Sequence, residues 1–222
     1  MNNDLAVIFD MDGVLVDSYR AHFESWRVVA VEEGLSVTEE EFAAAFGRTS
    51  REIIAALWGE DRYTLDEALA LDDRKEAAFR DLVRDDFPAM PGAVELLEAL
   101  AATGFALAVG SSGPPANIEL VLDRLGRGHL FGATITGMDV TRGKPDPQVF
   151  LLAAEGLGIS PSRCAVVEDA PAGVAAANSA GMTAIGLAST GRGREELCDA
   201  RLVVDSLNQL SPTAIGELIQ GS

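Results

Sequence analysis

The stretch Leu5-Ala6-Val7-Ile8-Phe9-Asp10-Met11-Asp12-Gly13-Val14-Leu15-Val16-Asp17-Ser18 constrains this chain more than any other. Five apolar residues, several of them β-branched or aromatic, run straight into Asp10 and Asp12, and a glycine follows. An unbroken apolar run of that length suits a strand covered on both faces, and such strands belong to parallel sheets flanked by helices. The expected fold is α/β, with this strand at the centre. In an open parallel sheet, functional groups gather beyond the carboxyl ends of the strands, which is where Asp10 and Asp12 stand. Two carboxylates so placed can divide labour, one attacking or holding a metal while the other moves protons. Asp and Gly are also ordinary turn residues, so the pair alone leaves a plain acidic turn open.

The chain then changes character. Ser18 is placed to cap a helix running to Gly34, with Phe23, Trp26, Val29 and Ala30 at helical spacing. Thr38-Glu39-Glu40-Glu41 and Thr64-Leu65-Asp66-Glu67 read as capping boxes, the first opening a helix that stops at Gly47. The second opens a helix to about Asp86 carrying Leu69, Leu71, Ala78, Phe79 and Leu82, with an interruption expected near Asp72-Asp73. A shorter helix from Ser50 to Trp58 lies between them. Residues 17–90 thus read as an all-helical insertion between residues 1–16 and 91–222. From Pro91-Gly92 onward, helices alternate with short strands at Phe105–Gly110, Ala133–Thr136, Arg163–Val167, Thr183–Leu187 and Leu202–Val204, as crossovers on a parallel sheet require.

A formal charge of −18 argues against binding the phosphate backbone of nucleic acids, which requires a basic surface. An anionic substrate must therefore meet a local cluster of cations. Among seventeen basic residues only Lys75 and Lys144 are lysines, so each is a candidate for a site that needs a compact point charge, with coding bias as the plain alternative. Cys164 and Cys198 make no disulfide framework, and no leader-like or membrane-spanning apolar run stands out. The expectation is a cytoplasmic protein without nucleic-acid or membrane partners, a monomer or weak dimer.

Four strand ends carry chemistry: Asp10 with Asp12, Ser111 with Ser112, the loop holding Lys144, and Glu168 with Asp169. If the strands are parallel neighbours, all four meet at one edge. Asp10 and Asp169, with a backbone carbonyl and waters, suit Mg²⁺, a hard cation that prefers oxygen ligands. Ser111 and the backbone N–H groups around Ser112 and Gly113 can hold phosphoryl oxygens, and Lys144 supplies charge. Asp10 is placed as the in-line nucleophile for phosphoryl transfer.

Asp10-Met11-Asp12-Gly13-Val14-Leu15-Val16-Asp17-Ser18, Ser111 after a strand, Gly143-Lys144-Pro145-Asp146-Pro147 and Val167-Glu168-Asp169-Ala170-Pro171-Ala172-Gly173 together resemble the four motifs of the haloacid dehalogenase superfamily. The branch resembled is that of β-phosphoglucomutase and related small-molecule phosphatases. The resemblance implies a Rossmann-like core with a helical cap, Asp10 as nucleophile and Asp12 as acid/base. It also implies Mg²⁺ held by Asp10, the Asp12 carbonyl and Asp169, with Glu168 nearby as ligand or as a group behind the ligands. An Asp at position 12 counts against the dehalogenase and phosphonatase branches.

Members of this branch meet their substrate with cap residues at the positions of His22, Arg51 and Lys75, with Arg48 a weaker anion contact; the plain alternatives are an amphipathic-helix residue for His22 and solvated helix charges for Arg51 and Lys75. A mutase needs a second phosphate site in the cap, which Arg51 and Lys75 permit. Against a mutase, Ser111-Ser112-Gly113-Pro114-Pro115 lacks the Lys/Asn pattern of typical β-phosphoglucomutases, although Asn117 is a substitute candidate. Hydrolysis asks only for a water activated by Asp12. The expected activity is therefore that of a Mg²⁺-dependent phosphatase of small sugar or polyol phosphates. The alternatives are a sugar phosphomutase and a silent ligand-binding relative that keeps the motifs without catalysis.

Overall fold

The computed structural model describes residues 4–46, 49–189 and 192–221. Among these residues the strands are β1 (Ala6–Phe9), β2 (Ala106–Gly110), β3 (Phe131–Ile135), β4 (Cys164–Glu168), β5 (Thr183–Leu187) and β6 (Leu202–Val204). All pair in parallel, in the order β3-β2-β1-β4-β5-β6. The chain moves outward from β1 through β2 to β3, then returns to the other side of β1 for β4. The strand order reverses there, and the crevice outside such a switch point is where doubly wound sheets place their ligands.

Helices α1 (Tyr19–Glu32), α2 (Glu39–Ala45), α3 (Ser50–Trp58) and α4 (Leu65–Asp85) follow β1, and α5 (Ala93–Ala102), α6 (Pro115–Leu125), α7 (Gln148–Leu157), α8 (Pro171–Ser179) and α9 (Pro212–Gln220) belong to the sheet. The chain separates into two compact units, one running to Asp17 and resuming at Pro88, the other spanning Ser18–Phe87. The sheet-bearing unit keeps residues 88–90 because they pair back onto residues 15–17: Asp17 N–H donates to the Pro88 carbonyl and Met90 N–H to that of Leu15.

β1 and β4 are buried at every position, as a central strand covered on both faces requires. Ala6 and Ile8 pack with Ala108, Val166, Phe150 and Val174 in one cluster. Alternation sends Val7 and Phe9 to the opposite face, where Phe9 meets Phe131 edge-on with ring centroids 6.5 Å apart. β3 begins at Phe131 rather than at the expected Ala133 because Phe131 already pairs with Leu107 of β2, before a register shift that brings Ala133 opposite Ala108.

The helical unit has its own core, in which Phe23, Trp26 and Val29 of α1 meet Phe42, Ile53, Ile54 and Leu71. The expected caps at Thr38 and Thr64 form as full capping boxes, and Thr49 adds a third at α3. Ser18 does not cap α1, and its buried hydroxyl has no hydrogen-bond partner among the described residues. α4 runs uninterrupted through Asp72-Asp73, and its buried stripe is Ala68, Leu71, Lys75, Phe79 and Val83. Leu69 and Leu82, expected on that stripe, are exposed. The periodicity is helical, but its phase places Lys75 on the apolar face. Gly47 and Arg48 lie outside the described residues.

Candidate active site

The strand ladders run one residue past β1 and β2. Asp10 N–H donates to the Val167 carbonyl at 3.0 Å, and Ser111 N–H donates to that of Ile135 at 3.0 Å. Both residues are therefore fixed by sheet hydrogen bonds rather than by loops. Beyond Asp10 the chain turns tightly: Leu15 N–H bonds back to the Met11 carbonyl at 2.8 Å, and Gly13 adopts a φ of 73°.

Lys144 joins two of these strand ends. Its Nζ donates to Asp10 Oδ1 at 2.6 Å and to Glu168 Oε1 at 2.7 Å, and it stands 4.8 Å from the Phe150 ring centroid. That ring reaches the site because Gly110 carries no side chain; a Cβ there would lie 3.1 Å from the Phe150 ring. The second oxygen of Glu168 accepts the Ala170 N–H at 2.7 Å, just before α8 begins. Gly173, in the first turn of that helix, leaves room for Glu168, whose carboxylate a Cβ would strike. Asp10, Glu168 and Asp169 each bring one carboxylate oxygen within 4.8 Å of the others, and all three are buried.

Crowding and desolvation show in the proton affinities. Burial pushes Asp10 up to about 7; Lys144 opposes the rise, while Glu168 and Asp12 add to it. Asp169 is also held well above the usual carboxylate range, by burial and then by Glu168, with Arg192 pulling the other way. Burial alone would depress Lys144, but Asp10 and Glu168 outweigh it and raise the ammonium above its ordinary value. These carboxylates thus want more positive charge than one lysine supplies.

Ser111 is buried, and its Oγ accepts the Gly113 N–H at 3.0 Å. A Cβ on Gly113 would lie 3.3 Å from that Oγ and 3.9 Å from Asp12 Oδ2, so the loop after β2 runs between Ser111 and Asp12. Ser112 is exposed beside it, and Asn117 is buried in the first turn of α6.

A family model described as haloacid dehalogenase-like hydrolase matches residues 5–181. The chain belongs to that family. Validoxylamine A 7'-phosphate phosphatase of Streptomyces hygroscopicus subsp. limoneus is 34% identical over 216 residues, 94% of this chain and 97% of the relative. Fructose-1-phosphate phosphatase of Escherichia coli K12 is 34% identical over 179 residues, 81% of this chain and 94% of the relative. The crystal structure of β-phosphoglucomutase from Clostridium difficile superposes with a TM-score of 0.85 at 28% identity, covering 97% of each chain. The chain is therefore a hydrolase-family protein of the β-phosphoglucomutase-like branch with a Rossmann-like core.

In this hydrolase the other expected contacts lie in the helical unit. Lys75 is 3% exposed; its Nζ bonds His22 Nδ1 at 2.8 Å and Glu76 Oε1 at 2.7 Å. His22 stacks on Phe79 at 4.2 Å between centroids. The structure thus brings His22 and Lys75 together, whereas Arg51 is exposed on α3. Arg48 lies outside the described residues. Among the described residues no helix is long and apolar enough to cross a membrane.

Two residues that reach the site from the stretch after β5 escaped the sequence reading. Arg192 Nη1 donates to Asp169 Oδ2 at 2.7 Å, and Ser189 Oγ donates to the Gly13 carbonyl at 2.7 Å. Lys144 stood out because lysine is rare here; one arginine among fifteen did not.

Proposed function

We propose that this chain is a phosphoric monoester hydrolase that takes a phosphoryl group from a small sugar or polyol phosphate onto Asp10 and passes it to water, using a divalent cation, Mg²⁺ by preference. The observation that carries the reading is the Lys144 ammonium bridging Asp10 and Glu168 beside Asp169. The donor set fits a hard divalent ion: it is all oxygen and buried, and desolvation, then repulsion between neighbouring carboxylates, pushes Asp10 and Asp169 upward.

Asp10, Asp169 and the Asp12 carbonyl are the groups assigned to hold that ion. Glu168 stands behind them, since Lys144 and Ala170 N–H already engage its two oxygens. When bound, the ion neutralises phosphoryl charge and orients the ester for attack. Asp10, fixed by the ladder, presents its carboxylate for in-line attack; Lys144 and Ser111 offset the charge on the transferring oxygens. Asp12 protonates the leaving alkoxide and then takes a proton from the water that hydrolyses phospho-Asp10, returning both carboxylates to their starting forms. The helical unit is assigned the rest of the substrate, through His22 and Lys75, with Arg51 as a further cation.

The names of the phosphatase relatives favour sugar and polyol phosphates as substrates. Similarity to β-phosphoglucomutase supports a second reading, transfer from phospho-Asp10 to a sugar hydroxyl. A phosphoester panel with Mg²⁺, including β-glucose 1-phosphate with catalytic glucose 1,6-bisphosphate, separates the two. Phosphate release is the expected result, and glucose 6-phosphate without release would replace it with the mutase. Silence across the panel, or full turnover by Asp10→Asn, would end the enzyme reading.

A further inference from the structure

Arg192 touches the candidate metal site from a segment that none of the family motifs includes. One nitrogen, Nη1, donates both to Asp169 Oδ2 at 2.7 Å and to the main-chain carbonyl of the same residue at 3.2 Å. It braces side chain and backbone together. The pair is largely withdrawn from water, with side chains 17% and 7% exposed, so the bond is little weakened by solvent. Oδ2 is walled on another side by Gly13, where a Cβ would collide with it. Ser189, from the same stretch after β5, donates to the Gly13 carbonyl and so fixes that wall too. The Asp169 carboxylate is thus held at Oδ2 by Arg192 and walled there by Gly13, whose carbonyl Ser189 fixes.

We propose that Arg192 is a positioning residue for the metal: by bracing Asp169 through Oδ2 and the main-chain carbonyl, it aims the carboxylate toward Asp10 and Glu168 and so raises affinity for a divalent cation. The inference rests on the assignment of Asp169 as a ligand. A guanidinium beside a metal site also acts as a competing charge, and the two roles have opposite signs. If competition dominated, removing Arg192 would tighten metal binding. If bracing dominates, removal weakens it, by about 10- to 100-fold for a partner that orients a ligand.

The test is Mn²⁺ binding to the full chain at fixed pH, followed by the loss of the free-ion electron paramagnetic resonance signal, with thermal unfolding recorded alongside. Arg192→Met is expected to fold and to bind Mn²⁺ about 10- to 100-fold more weakly. Arg192→Lys, which keeps the charge but loses the planar fork, should fall between it and the wild type. If Arg192→Met does not fold, Arg192→Lys alone carries the test, and wild-type affinity in it overturns the proposal. Unchanged or tighter binding by Arg192→Met also overturns it, tighter binding marking Arg192 as a competitor. A wild-type protein that binds no Mn²⁺ removes the metal assignment and this inference together. Normal Mn²⁺ binding and phosphatase turnover by wild type, with no change in Arg192→Met affinity, removes this inference alone.

Discussion

Lys144 Nζ lies 2.6 Å from Asp10 Oδ1 and 2.7 Å from Glu168 Oε1, so a single ammonium ties the end of β1 to the end of β4 across the point where the strand order reverses. The contact is both structural and chemical. It offsets part of the repulsion among buried carboxylates, and it sets a positive charge against the assigned nucleophile. Removing it should therefore damage stability and turnover together.

Lys144→Met should lower the unfolding free energy by about 3 to 5 kcal/mol, the range for leaving buried partners unpaired. Adding Glu168→Gln should recover part of that loss, because the uncompensated charge is what destabilises. Urea unfolding of the two single variants and the double variant measures the coupling. Strictly additive losses would show that the ion pair contributes nothing beyond its parts.

Gly173→Ala should disturb the same carboxylate from the other side, since the new Cβ would strike Glu168. Overpacking typically costs about 1 to 3 kcal/mol. Because Glu168 anchors Lys144, kcat should fall more than a stability loss of that size explains under conditions where the variant is fully folded. A variant that loses stability but keeps wild-type kcat would separate Glu168 from catalysis.

The pH dependence of stability should be unusual without metal. Folded Asp10 is pushed up to about 7, against 3.8 for an ordinary aspartate. Between those values the folded state binds a proton that the unfolded chain does not, so stability should decline as pH rises from about 5 to about 7, and Asp169, also held above its ordinary value, adds to the decline. Glu41, Glu67 and Asp139 are held below their ordinary values and act at lower pH, outside this window. Thermal unfolding in EDTA at both ends of the window checks the slope, which Asp10→Asn should flatten. A midpoint that climbs with pH in the wild type would contradict the raised Asp10.

Much of this was legible in the chain. Continuous apolar runs mark buried parallel strands, so β1, β4 and β5 could be read directly, and motif residues at strand ends converge once those strands are neighbours. Capping boxes fixed the starts of α2 and α4. Less legible were effects that depend on phase and packing. Lys75 reads as a substrate-contacting cation or, failing that, a solvated one, and neither reading places it on the buried face of α4; the unbroken pass through Asp72-Asp73 overrides local propensity. Arg192 had no signal, because its role comes from a fold-back after β5 and not from its neighbours in sequence.

Lys75 gives the last prediction. An ammonium has donors and no acceptor, so its 2.8 Å contact with His22 requires Nδ1 to present a lone pair, which puts the imidazole proton on Nε2. Nitrogen-15 NMR of the histidine rings should show the Nε2–H tautomer for His22, and an Nδ1–H signal would break the contact. Lys75→Met should remove the ammonium that bonds both His22 and the Glu76 carboxylate, whose side chain is 14% exposed. About 1 to 3 kcal/mol of stability should be lost in consequence, the range for losing hydrogen bonds to a charged group. If Lys75 only holds the helical unit together, KM for the best phosphoester should stay unchanged in the fully folded variant. If His22 and Lys75 meet the substrate as assigned, KM should rise at least tenfold, equivalent to about 1.4 kcal/mol of binding. Stability and KM thus report the two roles of one buried lysine separately.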